Sequence, residues 1–166
     1  MKILRKSRII LFCSLVAALF LVLVYLGPSV PSEKTLIILK PDAVSKNVKT
    51  EIYAILHEKA GVSLVEEVVF DYAPEVKLSL HYEEHREQGF YLDLLNFMKS
   101  GPVIVSVWEG PVGSIEAVRR IVGVTNPAKA GIDTIRGKYG TTIQRNAIHA
   151  SDSSESAFRE IQIWFG

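Results

Sequence analysis

The chain has 166 residues, 48% hydrophobic and 22% charged, with 19 lysines and arginines against 18 aspartates and glutamates for a net charge of +1. That length holds one globular domain with a real core, and the composition excludes a disordered or collagen-like chain and gives no sign of a nucleic-acid binder. A single cysteine, Cys13, excludes a disulfide framework and a thiolate zinc cluster.

Four basic residues, Lys2, Arg5, Lys6 and Arg8, lead into an uncharged apolar run over residues 9–26, and without them the rest of the chain is acidic on balance. As a helix the run reaches ~27 Å, close to the hydrocarbon thickness of a bilayer. It ends at Val24, Tyr25 and Leu26 without a small-x-small cleavage site, so a single transmembrane anchor is expected over a cleaved signal. The positive flank, residues 1–8, places the N-terminus in the cytoplasm and the rest on the other side of the membrane, or makes it secreted or exoplasmic if the segment is cleaved. Residues 27–34, with two prolines and no apolar periodicity, read as a stiff linker before a folded domain over 35–166.

Within that domain, residues 35–39 form a short buried strand ended by Lys40, Pro41 and Asp42. Val48, Ile52, Ile55 and Leu56 share one face of a helix over 48–60 that Gly61 stops. A second strand is expected over 62–72, helices over 74–85 and 90–99, a third strand over 103–108 and a helix over 114–121. Residues 123–140 read as a long loop carrying Lys129, Arg136 and Lys138, and residues 154–164 as a closing helix.

Two motifs are weighed and set aside. Gly131 to Lys138 imitates a P-loop, but five residues separate Gly131 from Gly137 and Tyr139 stands where Ser or Thr must bind magnesium. His81, Glu84 and His85 match an H-x-x-E-H zinc pattern, which an exposed polar helix face explains equally well. His57, beside Glu58 and Lys59, reads as a solvated side chain. The informative stretch is 145–153, where His149 stands among small residues with Ser151 and Asp152 beside it and Glu160 in the next helix. Imidazole titrates near neutrality, so a ring nitrogen is available there to attack phosphorus.

Several ordered motifs carry a resemblance: TLIILKPD over 35–42, SGP over 100–102 before WEG over 108–110, TNP over 125–127, TIRG over 134–137 and NAIHASD over 146–152. The chain from 35 to 165 resembles the nucleoside diphosphate kinases. The resemblance implies an α+β, ferredoxin-like fold, an antiparallel four-stranded sheet covered by helices, with the fourth strand near His149. Together with the N-terminal run, it describes a membrane-anchored member of that family.

The resemblance further implies that His149 is phosphorylated, with Glu160 and Ser151 orienting its ring, and that Lys40 and Tyr82 lie close by. Lys40, Arg119, Thr125, Arg136 and Asn146 match positions that hold phosphates and ribose. Phe90 and Ile143 match positions that sandwich the base without reading its edge. The implied activity transfers the γ-phosphoryl of ATP to a nucleoside diphosphate by a ping-pong route, with Mg2+ arriving on the nucleotide phosphates and no metal ligands of the protein's own. A membrane-tethered, nucleotide-binding scaffold with little turnover is the alternative. The expected partners are nucleoside di- and triphosphates, the membrane and further copies of the chain, as a hexamer, tetramer or trimer, with no nucleic acid. Lys49 and Thr50 depart from the family, which often has a hydrophobic residue and glycine there.

Overall fold

The computed structural model describes residues 31–166. The apolar run over 9–26, and the first half of the linker expected after it, lie outside them. Among the described residues no helix is long and apolar enough to cross a membrane.

The elements in chain order are β1 (Ser32–Leu39), α1 (Pro41–Ser45), α2 (Lys49–Ala60), β2 (Ser63–Phe70), α3 (Glu75–His81), α4 (Tyr91–Met98), β3 (Val103–Pro111), α5 (Ser114–Val122), α6 (Ile135–Tyr139), β4 (Ile148–Ala150) and α7 (Ser154–Phe165), with 3-10 turns at Glu83–His85 and Pro127–Lys129. The four strands form one sheet in the order β2-β3-β1-β4, with every neighbouring pair antiparallel.

Helices cover both faces, so the central strands are apolar without alternation. In β1, Ile37 and Leu39 pack with Ile52 and Leu56 of α2 and Val118 and Val122 of α5. Leu36 and Ile38 point the other way, into a cluster with Leu78 of α3, Leu94, Leu95 and Met98 of α4, and Trp164 of α7. The period-two geometry of a strand makes both clusters from one five-residue run. Gly61 ends α2 in the left-handed region at φ 68, which a glycine enters without a Cβ clash.

Four expectations change. The last three residues assigned to the linker belong to β1: Ser32 pairs with Pro111 and Lys34 with Glu109 at the rim of the sheet, where a polar sequence leaves no apolar signature. Pro41, instead of only ending the strand, opens the short helix α1, since its fixed φ and missing N–H suit a first helical position. The helix expected over 74–85 breaks at Tyr82, whose backbone (φ −100, ψ 20) leaves the helical basin before the 3-10 turn. The loop over 123–140 contains a 3-10 turn and α6, each begun by a side-chain cap: Asn126 accepts from the Ala128 N–H and Thr134 from the Gly137 N–H. These caps do locally what periodicity does in longer helices. Lys49, at the family departure, opens α2 and reaches Glu67 of β2 at 2.5 Å, tying helix to edge strand.

Candidate active site

β4 is three residues long and exists because β1 offers it an edge: Ile38 pairs with His149, flanked by Leu39 with Ile148 and Ile37 with Ala150. Ala147, just before it, sits at φ 68, a strained setting for an alanine. That turn is held by the Ala147 N–H donating to Asp42 Oδ2 at 3.0 Å and by the Lys40 N–H donating to Ala147 O at 2.9 Å. TLIILKPD and NAIHASD are therefore two sides of one structure.

His149 Nε2 lies 3.0 Å from Glu160 Oε2, and Ser151 Oγ donates to the same oxygen at 2.7 Å while accepting from the Leu36 N–H at 3.0 Å. Burial alone would raise the Glu160 carboxyl, but the charge and hydrogen bond of His149, with His81 and Ser151 behind them, outweigh it and bring it to about 2. An ionised carboxylate only accepts, so His149 Nε2 carries the proton and Nδ1 keeps its lone pair.

His149 and Glu160 open onto a cleft of about 870 Å³. Lys40, Tyr82, Phe90, Arg119, Thr125, Arg136, Ile143 and Asn146 all line it too. Of the site residues that the family resemblance implied, Ser151 alone lies off the wall, fully buried behind Glu160.

The cations are held in different ways. Arg136 is buried, with Nη1 donating to Gly123 O at 2.8 Å and Nη2 to Ile148 O at 3.0 Å, while its Nε has no partner. Burial first, then repulsion from Arg119, draws it down to about 10 against the opposing pull of Tyr82, so it stays cationic at neutral pH. Lys40 is buried as well, and burial, then Arg136, against the pull of Asp42, lowers it to about 8. Arg119 is exposed on α5 and donates to Ala150 O at 3.2 Å. Asn146 donates to Thr125 O at 2.9 Å and leaves its Oδ1 without a partner, as is the buried Tyr82 hydroxyl. Buried polar atoms left unpaired on a cleft wall mark where a polar ligand belongs. Phe90 and Ile143 are exposed apolar side chains on the same cleft. Lys129 and Lys138, the other cations of the 123–140 segment, are not among its lining residues.

Comparison with known proteins agrees with this arrangement. The profile of the nucleoside diphosphate kinase family, described as "Nucleoside diphosphate kinase", matches residues 33–166. The chain belongs to that family. A nucleoside diphosphate kinase of Bacillus cereus is 44% identical over 133 residues, which cover 80% of this chain and 88% of that protein. Among solved structures, the Aquifex aeolicus nucleoside diphosphate kinase superposes with a TM-score of 0.76 at 39% identity, covering 81% of this chain and 96% of that one. The apo Encephalitozoon cuniculi enzyme also gives 0.76, at 33% identity, covering 81% and 89%.

One feature of this nucleoside diphosphate kinase site departs from the sequence reading. His81 is not on an exposed polar face. It is buried, its ring 4.5 Å from that of His149, while His85 lies beyond the break at Tyr82, so the H-x-x-E-H pattern does not form one metal face. Among the described residues, His81, His149 and Glu160 are the group close enough to share a metal ion. Two of the three are engaged: Trp164 Nε1–H donates to His81 Nδ1 at 3.2 Å, and Glu160 Oε2 accepts from His149 and Ser151. Seating a metal there would break both arrangements. Gln144 and Thr142, which the sequence did not single out, also line the cleft, as do Asp152 and Glu84, which it named without giving them a place in the nucleotide site. Asp152 and Gln144 fall inside or beside the NAIHASD motif, which was the available signal.

Proposed function

We propose that the chain transfers the γ-phosphoryl group of a nucleoside triphosphate to a nucleoside diphosphate through a phosphohistidine at His149. The observation that carries this reading is the His149–Glu160–Ser151 chain opening onto a cleft with Lys40, Arg119 and Arg136 on its walls. Nδ1 attacks the γ-phosphorus, the bond from phosphorus to the leaving diphosphate oxygen breaks, and a terminal oxygen of the acceptor diphosphate later takes the phosphoryl from the ring. Glu160 stabilises the positive charge that the ring gains. The cations and the orphaned Tyr82 hydroxyl face the transferring oxygens, where charge spreads in the transition state. Phe90 and Ile143 bracket the base by apolar contact alone, which does not discriminate between bases.

The donor set suits a magnesium ion that comes in on the phosphates. Glu160 is committed to His149, leaving Asp152 and Glu84 as the other carboxylates of the cleft, too few for a protein cage. Magnesium bound with the nucleotide would neutralise charge on the phosphates that Lys40, Arg119 and Arg136 face. In the same reading residues 9–26 anchor the chain in a membrane with the N-terminus in the cytoplasm, on the strength of their hydropathy and basic flank, and several copies assemble.

Incubation of the full-length protein in detergent with γ-labelled ATP tests the chemistry. The expected product is an acid-labile, base-stable phosphoprotein that discharges onto GDP and is absent from His149→Ala. Label acquired by His149→Ala at the wild-type rate would sink the assignment. Resistance to alkaline carbonate extraction tests the anchor.

A further inference from the structure

An imidazole N–H points along the ring plane, and that of His149 Nε2 is directed to Glu160 Oε2 at 3.0 Å. That bond holds Nε2, which lies close to the Cβ–Cγ axis, yet restrains rocking of the ring about Cβ–Cγ only weakly, and rocking swings Nδ1 away from the phosphorus it must reach. What sits against His149 in the other direction is His81. The two ring centroids are 4.5 Å apart and the planes cross at 78°.

His81 is itself fixed. Trp164 Nε1–H donates to its Nδ1 at 3.2 Å, so the proton of the neutral ring sits on Nε2, which is buried without a partner. Protonating Nδ1 would set one N–H against another. Trp164 is anchored in turn, because Lys77 Nζ of α3 donates to the carbonyls of Ile163 and Trp164 at 2.5 and 3.2 Å, and Arg159 Nη1 of α7 donates to Leu80 O at 3.1 Å. These bonds clasp α3, which carries His81, to α7, which carries both Trp164 and Glu160. The charged and titratable groups around His81 are Tyr82 just after α3, its ring centroid 4.5 Å away, His149 of β4, Glu160 and Arg159 of α7, and Lys40 just past the end of β1. Burial first, then His149, Arg159 and Lys40 against the pull of Glu160, keep its pKa well below the ordinary histidine value.

We infer that His81 is a positioning residue that acts through His149: locked by Trp164 as the neutral Nε2–H tautomer, its ring stops the nucleophile from rocking and holds Nδ1 on the line of attack. Misplacing a reacting atom by a fraction of an ångström costs rate more than affinity. The inference rests on His149 as the nucleophile.

Two substitutions in the full-length protein separate positioning from packing. His81→Asn keeps an oxygen near Nδ1 to accept from Trp164 but removes the ring beside His149. His81→Phe keeps a ring and strands the Trp164 N–H. The expected result is that His81→Asn forms phosphoenzyme about 10- to 100-fold more slowly with nucleotide Kd changed less than about 3-fold, whereas His81→Phe keeps the rate within about 3-fold although it melts earlier. A purely structural role predicts the reverse order. An Asn variant at the wild-type rate, or a Phe variant as slow as Asn, overturns the inference. Nitrogen-15 NMR of the histidines in the wild type decides the matter if a variant does not fold: His81 is expected as the neutral Nε2–H form from pH 5.5 to 8, and a cationic or Nδ1–H ring overturns the lock. The two readings fail separately, because label persisting in His149→Ala removes the nucleophile assignment, while unchanged kinetics in His81→Asn with no label in His149→Ala removes this inference alone.

Discussion

Replacing Glu160 by Gln changes one oxygen to an amide nitrogen and leaves shape and burial alone, so it isolates the carboxylate's charge. The group titrates at about 2 against an ordinary 4.5, a difference worth about 3 kcal/mol at roughly 1.36 kcal/mol per unit. The sign follows from the direction. A carboxyl whose folded pKa is depressed stabilises the fold above its unfolded pKa, and that stability is lost as pH falls toward 2. Wild type should therefore exceed Glu160→Gln by about 3 kcal/mol at pH 7, with about 2 kcal/mol of that margin gone by pH 3. Urea titrations of both proteins at the two pH values measure it. The same charge stabilises the imidazolium character that His149 gains as Nδ1 bonds to phosphorus, so exchanging a charge-assisted hydrogen bond for a neutral one should slow phosphoenzyme formation by about 10- to 100-fold, or ~1.5–3 kcal/mol. Rapid-quench labelling at saturating ATP reads this directly. A variant that labels within about 3-fold of wild type, or a stability margin that does not shrink with pH, would refute the reasoning.

Arg136→Ala should cut turnover by about 10- to 100-fold through loss of a charge-assisted phosphate contact, and should also lower unfolding free energy by ~2–4 kcal/mol, because the carbonyls of Gly123 and Ile148 lose their donors. Arg120→Ala, on an exposed side chain one residue past Arg119, should change neither, and equal effects from the two would show that helix α5 has been read out of register. Phe90→Ala should raise KM by about 10-fold for purine and pyrimidine nucleotides alike with kcat little changed, and a loss confined to one base class would contradict the apolar clamp. Lys40→Met should abolish activity yet melt later than wild type, since removing a buried cation held at about 8 relieves a net cost of about 3 kcal/mol, burial first and then repulsion from Arg136, less the pull of Asp42; an earlier melt would mean that Lys40 contributes to the fold through contacts of its own.

The sequence makes some of this legible and hides the rest for identifiable reasons. The central strands and α2 could be read from their own residues, because an apolar run buried on both faces, or a helix with Ile52 and Leu56 on one side, needs no distant partner to be recognised. β4 could not. Three residues have no period, and the strand owes its existence to β1, so only the family motif indicated it. α6 and the 3-10 turn before it were hidden by the glycines and proline that break periodicity, although Asn126 and Thr134 are ordinary capping residues in hindsight. His81 was misread because its neighbours Glu83, Glu84 and His85 are polar and partly or fully exposed. Only a tryptophan 83 positions later, docked by the clasp between α3 and α7, shows that the histidine turns inward.

The arrangement of charge in the cleft favours a bound polyphosphate over the stability of the empty fold. Among the described residues Lys40, Arg119 and Arg136 form no salt bridge with a carboxylate; Lys40 and the two guanidinium groups have backbone carbonyls as their hydrogen-bond partners instead, with the Lys40 bond to Gln144 O a long one at 3.5 Å. Carbonyls satisfy donors without cancelling charge. For the two buried cations, Lys40 and Arg136, a carboxylate partner would make the empty fold more stable, but it would also neutralise the field that a polyphosphate must meet. The cleft therefore keeps its positive charge at the expense of stability, and a bound phosphate supplies the missing counter-charge. The sequence carries that asymmetry at Lys40, a lysine at a strand end with no acidic residue three or four positions away, whereas Arg136 has Asp133 three positions before it and shows its lack of a carboxylate partner only in the fold.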